Sequence, residues 1–311
     1  MSGLVGRAVS RFWRFGGSRG HGGFRSLSSI SYEFSEPDRF GFCSVQGRRS
    51  GMEDSVVVLP QVDGCRDVSM FGVFDGFGGA QVSRFVANNL PNQLSNTGAI
   101  ERAAMLEGKE QADKLGEAIK EAFFEIDKKV LTDSELDAWY CGSTGVCTLI
   151  TPTHIVVANS GDSRLVMCGE GEENLRFETL DHKPYNKPES ARIYAAGGFV
   201  LEGRIDGQLA VGRGFGRSVF KSNDALEAEH QKFSVSPDIT VLTRKETDKF
   251  LVLASDGLWD IVSSSAMVDV VRNELAKESD GLTLHSFAKV LCAESVYAGS
   301  HDNVSIVLVR L

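Results

Sequence analysis

The residues of this chain best placed to do chemistry are acids that end apolar runs beside a glycine. In Phe71-Gly72-Val73-Phe74-Asp75-Gly76-Phe77-Gly78-Gly79 an apolar run stops on Asp75, and three glycines then open a tight turn. A carboxylate at a strand end is held rigidly at the edge of the core. Flanking glycines let a backbone carbonyl, an ion or a phosphate come close. One Asp-Gly pair alone reads as an ordinary solvated turn, but here the device recurs. Glu53-Asp54 precede an apolar run, and Asp162 sits in Ser160-Gly161-Asp162-Ser163. Asp256 ends Phe250-Leu251-Val252-Leu253-Ala254-Ser255-Asp256-Gly257, with Asp260 one helical turn later, and Asp302 opens the last apolar run. If these strands share one sheet edge, the carboxylates converge, and they cannot all stay ionised without cations because like charges raise one another's pKa. Hard oxygen donors with almost no His or Cys among them select magnesium or manganese over zinc. Two such ions form a clamp for in-line displacement at phosphorus, with a water between them as nucleophile.

The elements that must position these acids follow from periodicity. Residues 40–45, 55–59 and 68–74 read as strands, and 81–94 as a helix. The clearest helix is 111–131, where Leu115, Ile119, Phe123, Ile126 and Val130 recur every three or four residues. Residues 96–109 read as a loop between the two. Strands at 146–150, 154–159 and 164–168 are separated by Pro-Thr-His and Gly-Asp-Ser turns, which predicts three antiparallel strands joined as hairpins. A short helix is expected at 190–196, strands at 239–242 and 250–254, helices at 265–277 and 284–298, and a closing strand at 304–309. Strands in hairpins rather than in βαβ order imply an α+β chain of antiparallel sheets covered by helices.

Composition narrows the function. With 311 residues, 42% hydrophobic and 24% charged, the chain can bury a large core. Its formal net charge of −9 argues against a nucleic-acid groove and suits bound cations. The six cysteines are scattered, none in a Cys-x-x-Cys pair, and read as reduced core thiols of an intracellular protein. No apolar run reaches the length of a membrane span. Residues 1–32 are a different material: Arg7, Arg11, Arg14, Arg19 and Arg25 occur with no acid, among serines and glycines. At helical pitch Leu4, Val5, Ala8, Phe12 and Phe15 share one face and Arg7, Arg11 and Arg14 the other, the pattern of a mitochondrial transit peptide. The alternative is a disordered basic tail that touches RNA weakly. The expectation is a leader at 1–32 before a single body at 33–311 that works in the mitochondrial matrix, with the cytoplasm as the alternative address.

The ordered motifs carry a resemblance. Gln46-Gly47-Arg48-Arg49-Ser50-Gly51-Met52-Glu53-Asp54, Val73 to Gly79, Gly142-Ser143-Thr144, Asn159-Ser160-Gly161-Asp162-Ser163-Arg164 and Asp181-His182-Lys183-Pro184 stand in succession. Arg192-Ile193 with Gly197-Gly198, Leu209-Ala210-Val211, Ala254-Ser255-Asp256-Gly257-Leu258-Trp259-Asp260 and Asp302-Asn303-Val304-Ser305 follow. From about residue 40 to 311 the chain resembles the metal-dependent serine/threonine protein phosphatases, type 2C. The resemblance implies two antiparallel sheets packed as a sandwich with helices on both outer faces, a four-layer αββα fold. It implies hydrolysis of phosphoserine and phosphothreonine in proteins by a water activated by two Mg2+ or Mn2+ ions, with a weaker third. Asp75 would bridge both ions. Glu53 and the Gly76 carbonyl would complete one site, Asp256 and Asp302 the other, and Asp162 and Asp260 would hold the third. Asp54 would orient water on the ions and Arg49 would hold the substrate phosphate. The expected partners are phosphoprotein substrates, with no nucleic acid and no membrane insertion, and the expected state is a monomer.

Two departures bear on activity. The family's Asp-Gly-His is Asp75-Gly76-Phe77 here, which removes a candidate general acid. Gly212-Arg213-Gly214-Phe215-Gly216-Arg217 stands against a pattern near Ser-Arg-Ala-Phe-Gly-Asp, so Arg217 reverses a charge. His301, beside Asp302, is a conceivable stand-in acid but reads as a surface histidine, and His182 and Lys183 read as loop structure. The competing function is a catalytically impaired phosphatase fold used as a binding module. The presence of every expected metal carboxylate weighs against it. A GxGxxG nucleotide loop fails because Gly76-Phe77-Gly78-Gly79 lacks the spacing and no βαβ unit surrounds it.

Overall fold

A computed structural model describes residues 39–65, 67–170, 174–275 and 283–311. The basic leader at 1–32 lies outside the described residues. The described residues divide into two compact units, one built from those up to Met52 with Leu165–Glu178 and Glu246–Leu311, the other from Glu53–Arg164 and Thr179–Lys245.

In the first unit the strands Phe40–Val45, Val304–Arg310, Asp248–Ala254, Arg164–Gly169 and Leu175–Glu178 lie side by side in that order. The last strand of the chain pairs antiparallel with both the first (Cys43 opposite Ile306) and Asp248–Ala254 (Leu253 opposite Val307). Alternation sends Val252, Ala254, Ile306 and Leu308 to one face, where they pack with Val268 and Val271 of the helix Ser264–Leu275 and Phe287 and Leu291 of the helix Leu284–Ala298. Thr283 caps the second helix, its side chain accepting from the Ser286 N–H, and Gly299 ends it in the left-handed conformation.

In the second unit the order is Asp238–Thr243, His154–Ser160, Gly145–Ile150, Ser69–Phe74 and Ser55–Leu59, antiparallel throughout. The helices Gln81–Asn96 and Gly108–Thr132 cover one face. Leu115, Ile119, Phe123, Ile126 and Val130 pack there with Met70, Cys147, Leu149, Val156 and Ala158, as their spacing predicts. The segment after Thr179 builds its own small core from Ile193, Ile205, Leu209, Val211, Phe220 and Phe233. Three two-residue strands, Phe215–Gly216, Gly142–Ser143 and Gly76–Phe77, join this segment to the end of the Asp75 strand.

The expected class, α+β with antiparallel sheets and helices, is what the chain adopts. Three local expectations are corrected. Residues 96–109 are not a loop: a helix Ala99–Ala104 buries Ile100 and Ala103, and the long helix starts at Gly108. A six-residue helix shows too few turns for its period to be read from sequence. The strand Arg164–Gly169 does not continue the hairpin of Gly145–Ile150 and His154–Ser160, but pairs with Asp248–Ala254 and Leu175–Glu178 in the other sheet. These strands are apolar on both faces, so their pattern carries no information on which neighbour each takes. The short helix expected at 190–196 begins earlier, at Lys187, with Pro188 in its first turn, where a missing N–H costs nothing. All six cysteines are buried and unbridged. Among the described residues no helix is long and apolar enough to cross a membrane.

Candidate functional site

In the second unit the expected acids gather around the end of the strand Ser69–Phe74. Asp75 is half-buried there, and its backbone is clamped from both sides by one residue. Its N–H donates to Thr144 Oγ1 at 3.1 Å and its carbonyl accepts from the Thr144 N–H at 2.9 Å. Thr144 Oγ1 also lies 2.7 Å from Ser163 Oγ, next to Asp162. The Gly142-Ser143-Thr144 motif is thus the tie between the Asp75 and Asp162 turns, a role its residue types alone did not disclose.

Gly76 explains the first glycine of the Asp-Gly device. A β-carbon there would lie 2.3 Å from the Glu53 carbonyl oxygen, so only glycine lets the two backbones meet. Ser83, buried on the helix Gln81–Asn96, donates its hydroxyl to the same carbonyl. Glu53 is thereby brought beside Gly76 with its own side chain half-buried, and Asp54 is buried next to it.

Asp162 is buried, and Lys183 Nζ stands 2.6 Å from its Oδ2. Burial pushes the Asp162 carboxyl above the ordinary carboxylate range, with Lys183 pulling it the other way. His182 has the structural role expected of it. Its Nδ1 accepts from the Gly161 N–H at 3.0 Å, which leaves Nε2 to donate to Asp238 Oδ2 at 3.1 Å. That bond holds the Asp238 carboxyl down at about 2. Arg164 reaches Asp181 with a bidentate pair at 3.0 and 2.9 Å. The Asp162 turn is therefore fastened to the loop at 181–183 by five side chains, those of Asp162, Arg164, Asp181, His182 and Lys183.

In the first unit a short helix, Asp256–Trp259, starts as the strand Asp248–Ala254 ends, with Ser255 between them. Asp256 is half-buried at its first position, and the Asp260 N–H donates to the Asp256 carbonyl at 2.8 Å. Gly257 repeats the device of Gly76: a β-carbon there would lie 2.0 Å from the Asn303 carbonyl oxygen. Asn303 is the clamp that sequence reasoning missed. Its side-chain amide donates to the carbonyls of Gln46 at 2.8 Å and Gly51 at 2.9 Å, and its N–H to Asp302 Oδ1 at 2.7 Å. The loop that carries Arg49 is thereby held to the start of the last strand, and Arg49 Nη2 lies 2.5 Å from Asp302 Oδ2. The only signal for Asn303 was its place in the Asp302-Asn303 motif. His301 is exposed, as expected.

The two glycines thus pair Glu53 with Asp75 in one unit and Asp256 with Asp302 in the other. Within either unit no three His, Cys, Asp or Glu side chains among the described residues lie close enough together to hold an ion. The donor set nonetheless fits a hard divalent cation. Glu53, Asp75, Asp256 and Asp302 are all carboxylates, and all are half-buried. Phe77 does not occupy the role of an acid. Its ring meets Phe233 edge-on at 6.1 Å and packs on the small core of the segment after Thr179.

Comparison with known proteins places this geometry. Residues 38–304 match the family Protein phosphatase 2C. The chain is 36% identical over 279 residues to Protein phosphatase 1B of Rattus norvegicus, covering 87% of this chain and 70% of that one. It is 34% identical over 277 residues to Protein phosphatase 1A of Homo sapiens, with the same coverage of 87% and 70%. In fold it is similar to the crystal structure of serine-threonine phosphatase 2C from Toxoplasma gondii, with TM-score 0.72 and 24% identity over 87% of this chain and 94% of that one.

Proposed function

Because the chain belongs to the protein phosphatase 2C family, we propose that its half-buried acids would hold two magnesium or manganese ions, with Glu53, Asp75 and the Gly76 carbonyl as ligands from one unit and Asp256 and Asp302 as ligands from the other. The protein is a metal-dependent serine/threonine protein phosphatase, and phosphoproteins are its substrates. The observation that carries the ligand reading is the paired use of Gly76 and Gly257, each of which presses one acid-bearing segment against another. Bound ions of this kind supply a nucleophile at neutral pH and neutralise phosphate charge. The chain's own residues do the rest. Arg49, exposed and paired through its guanidinium with Asp302, can turn its planar fork to two phosphate oxygens. Asp54, buried beside Glu53, orients the attacking water by accepting its proton in a hydrogen bond. Asp162 and Asp260 are the candidate ligands for a weaker third ion, and at Asp162 that ion would compete with Lys183, which pairs with the carboxylate at 2.6 Å. Phe77 has no proton to give, so the leaving serine or threonine oxygen takes its proton from solvent. Loss of a general acid typically costs about 10²–10⁴-fold, which lowers turnover without abolishing it. The test is hydrolysis of a phosphothreonine peptide after chelation, with and without manganese restored. Activity should vanish on chelation and return with the metal, and activity that survives an EDTA soak rejects the two-ion reading.

The address rests on residues 1–32. Five arginines, no acid and segregated apolar and basic faces support import into mitochondria with removal of the leader near residues 25–30. Arginine on one face suits a negative potential, while Phe12 and Phe15 on the other suit an apolar receptor groove. Residues 1–32 fused to a fluorescent protein should send it to mitochondria. Exchanging Arg7, Arg11 and Arg14 for Glu should leave it in the cytosol. A diffuse cytosolic signal from the unaltered fusion, or a mature protein that keeps its original N-terminus, decides for a basic tail and a cytoplasmic enzyme.

A further inference from the structure

Arg217 stands where the family pattern has an acid. Its backbone N–H donates to the Cys141 carbonyl at 2.8 Å, and the Cys141 thiol donates to the Gly78 carbonyl at 2.9 Å. Two hydrogen-bonded steps therefore separate Arg217 from the Asp75-Gly76-Phe77-Gly78 turn. Cys141 registers the same neighbourhood. Burial pushes its thiol up, Asp137 and Glu53 add to this, and Arg217 pulls it down. One thiol thus feels both an expected metal ligand and this guanidinium.

The guanidinium is held in place without being neutralised. Arg217 adopts left-handed backbone angles, φ 55 and ψ 49, which residues with a β-carbon rarely take. Its guanidinium carbon lies 5.9 Å from the centre of the Tyr140 ring and 6.0 Å from that of Phe220, and Nη1 donates to the Tyr140 carbonyl. Aromatic faces orient a cation but leave its charge in place. Nε is buried without a hydrogen-bond partner, and among the described residues no carboxylate forms an ion pair with this side chain. The rim beside it is open: Trp139 is 50% and Tyr140 59% exposed. On a chain of net charge −9, a preoriented cation next to the turn of Asp75 is a local exception to the general field.

We infer that Arg217 is a specificity residue that recognises an acidic side chain flanking the phosphorylated serine or threonine. The inference rests on the phosphatase reading and on the Asp75 turn as the reacting site. A guanidinium donates charge-assisted hydrogen bonds to a carboxylate, and with Nε buried and Nη1 turned to the Tyr140 carbonyl, Nη2 is the end of the fork that meets the peptide. Discrimination acts on binding, so it appears in KM and weakens with salt.

The experiment uses the full chain with manganese and phosphothreonine peptides identical except for Ala, Asp or Lys at single flanking positions. Wild type should favour Asp over Ala at one position by about tenfold in kcat/KM, the scale of one hydrogen-bonded charge pair, and disfavour Lys there. Arg217→Gln should bring that ratio close to one, Arg217→Asp should invert it, and Arg217→Lys should keep part of it. A ratio taken within one variant does not depend on how much of that variant is folded. Equal kcat/KM for the Asp and Ala peptides in wild type, or the same preference in Arg217→Gln, overturns the inference and leaves dephosphorylation standing. Failure to hydrolyse any of the peptides overturns both.

Discussion

Asp75→Asn is expected to cost at least about 10³-fold in kcat/KM on a phosphothreonine peptide, because a ligand of the proposed ions would support several kcal/mol of charge stabilisation. The protein should stay folded. What holds this turn together is the Asp75 backbone, through its two hydrogen bonds with Thr144, and asparagine keeps both. Asp256→Asn should behave in the same way. Its carbonyl accepts the Asp260 N–H, and the Ser255 carbonyl accepts the Leu258 N–H, so neither backbone bond depends on the carboxylate. Asp162→Asn should divide the two properties differently. It touches only the proposed third site, so its effect on turnover is smaller. It also leaves Lys183 without the buried carboxylate it pairs with, so its effect on melting temperature is larger. Peptide kinetics and thermal melts on the three variants check this ordering. Near-normal turnover in folded Asp75→Asn would remove that residue from the ligand set.

Lys221→Met is expected to be the most destabilising single change in the second unit. Lys221 and Asp127 are each 4% exposed and lie 2.7 Å apart. Asp127, on the long helix Gly108–Thr132, also accepts from the Gly216 N–H at 2.7 Å, and Lys221 donates to the Gly214 carbonyl at 2.8 Å. Lys221 Nζ further sits 4.9 Å from the centre of the Phe233 ring. Removing one partner of such a pair leaves a buried charge alone and costs about 3–5 kcal/mol, a fall in Tm of roughly 10 °C for a protein of this size. The deficit should depend on pH, with a definite sign. Burial already raises the Asp127 carboxyl above its ordinary value of 3.8, against the pull of Lys221. Without Lys221 it rises further. A carboxyl whose folded value exceeds its unfolded one adds stability below the unfolded value and loses it as pH rises through the folded one. The variant should therefore lie closer to wild type at pH 5 than at pH 8. Replacing both partners, as in Asp127→Leu with Lys221→Met, should recover part of the loss, because the buried charge is then absent. An equal deficit at both pH values would mean that Asp127 does not carry the charge.

The chain's local chemistry determined the parts of the site and their order. An apolar run that ends on Asp-Gly can be read without knowing its neighbours, so Asp75 and Asp256 were legible, as was the long helix carrying Leu115 to Val130. The device also had a meaning that only the tertiary structure supplied: Gly76 and Gly257 are there because another acid-bearing segment lies against each of them. Partner choice is the common reason for what the sequence left undecided. Backbone hydrogen bonds between strands are the same for every residue type. The strand Arg164–Gly169 therefore leaves its hairpin for the other sheet without any local mark of it. Asn303 clamps Gln46 from 257 residues away, Lys221 meets Asp127 from 94, and Arg217 reaches Tyr140 from 77. Their residue types allow many partners, and only burial at one place in the fold makes a single partner favourable.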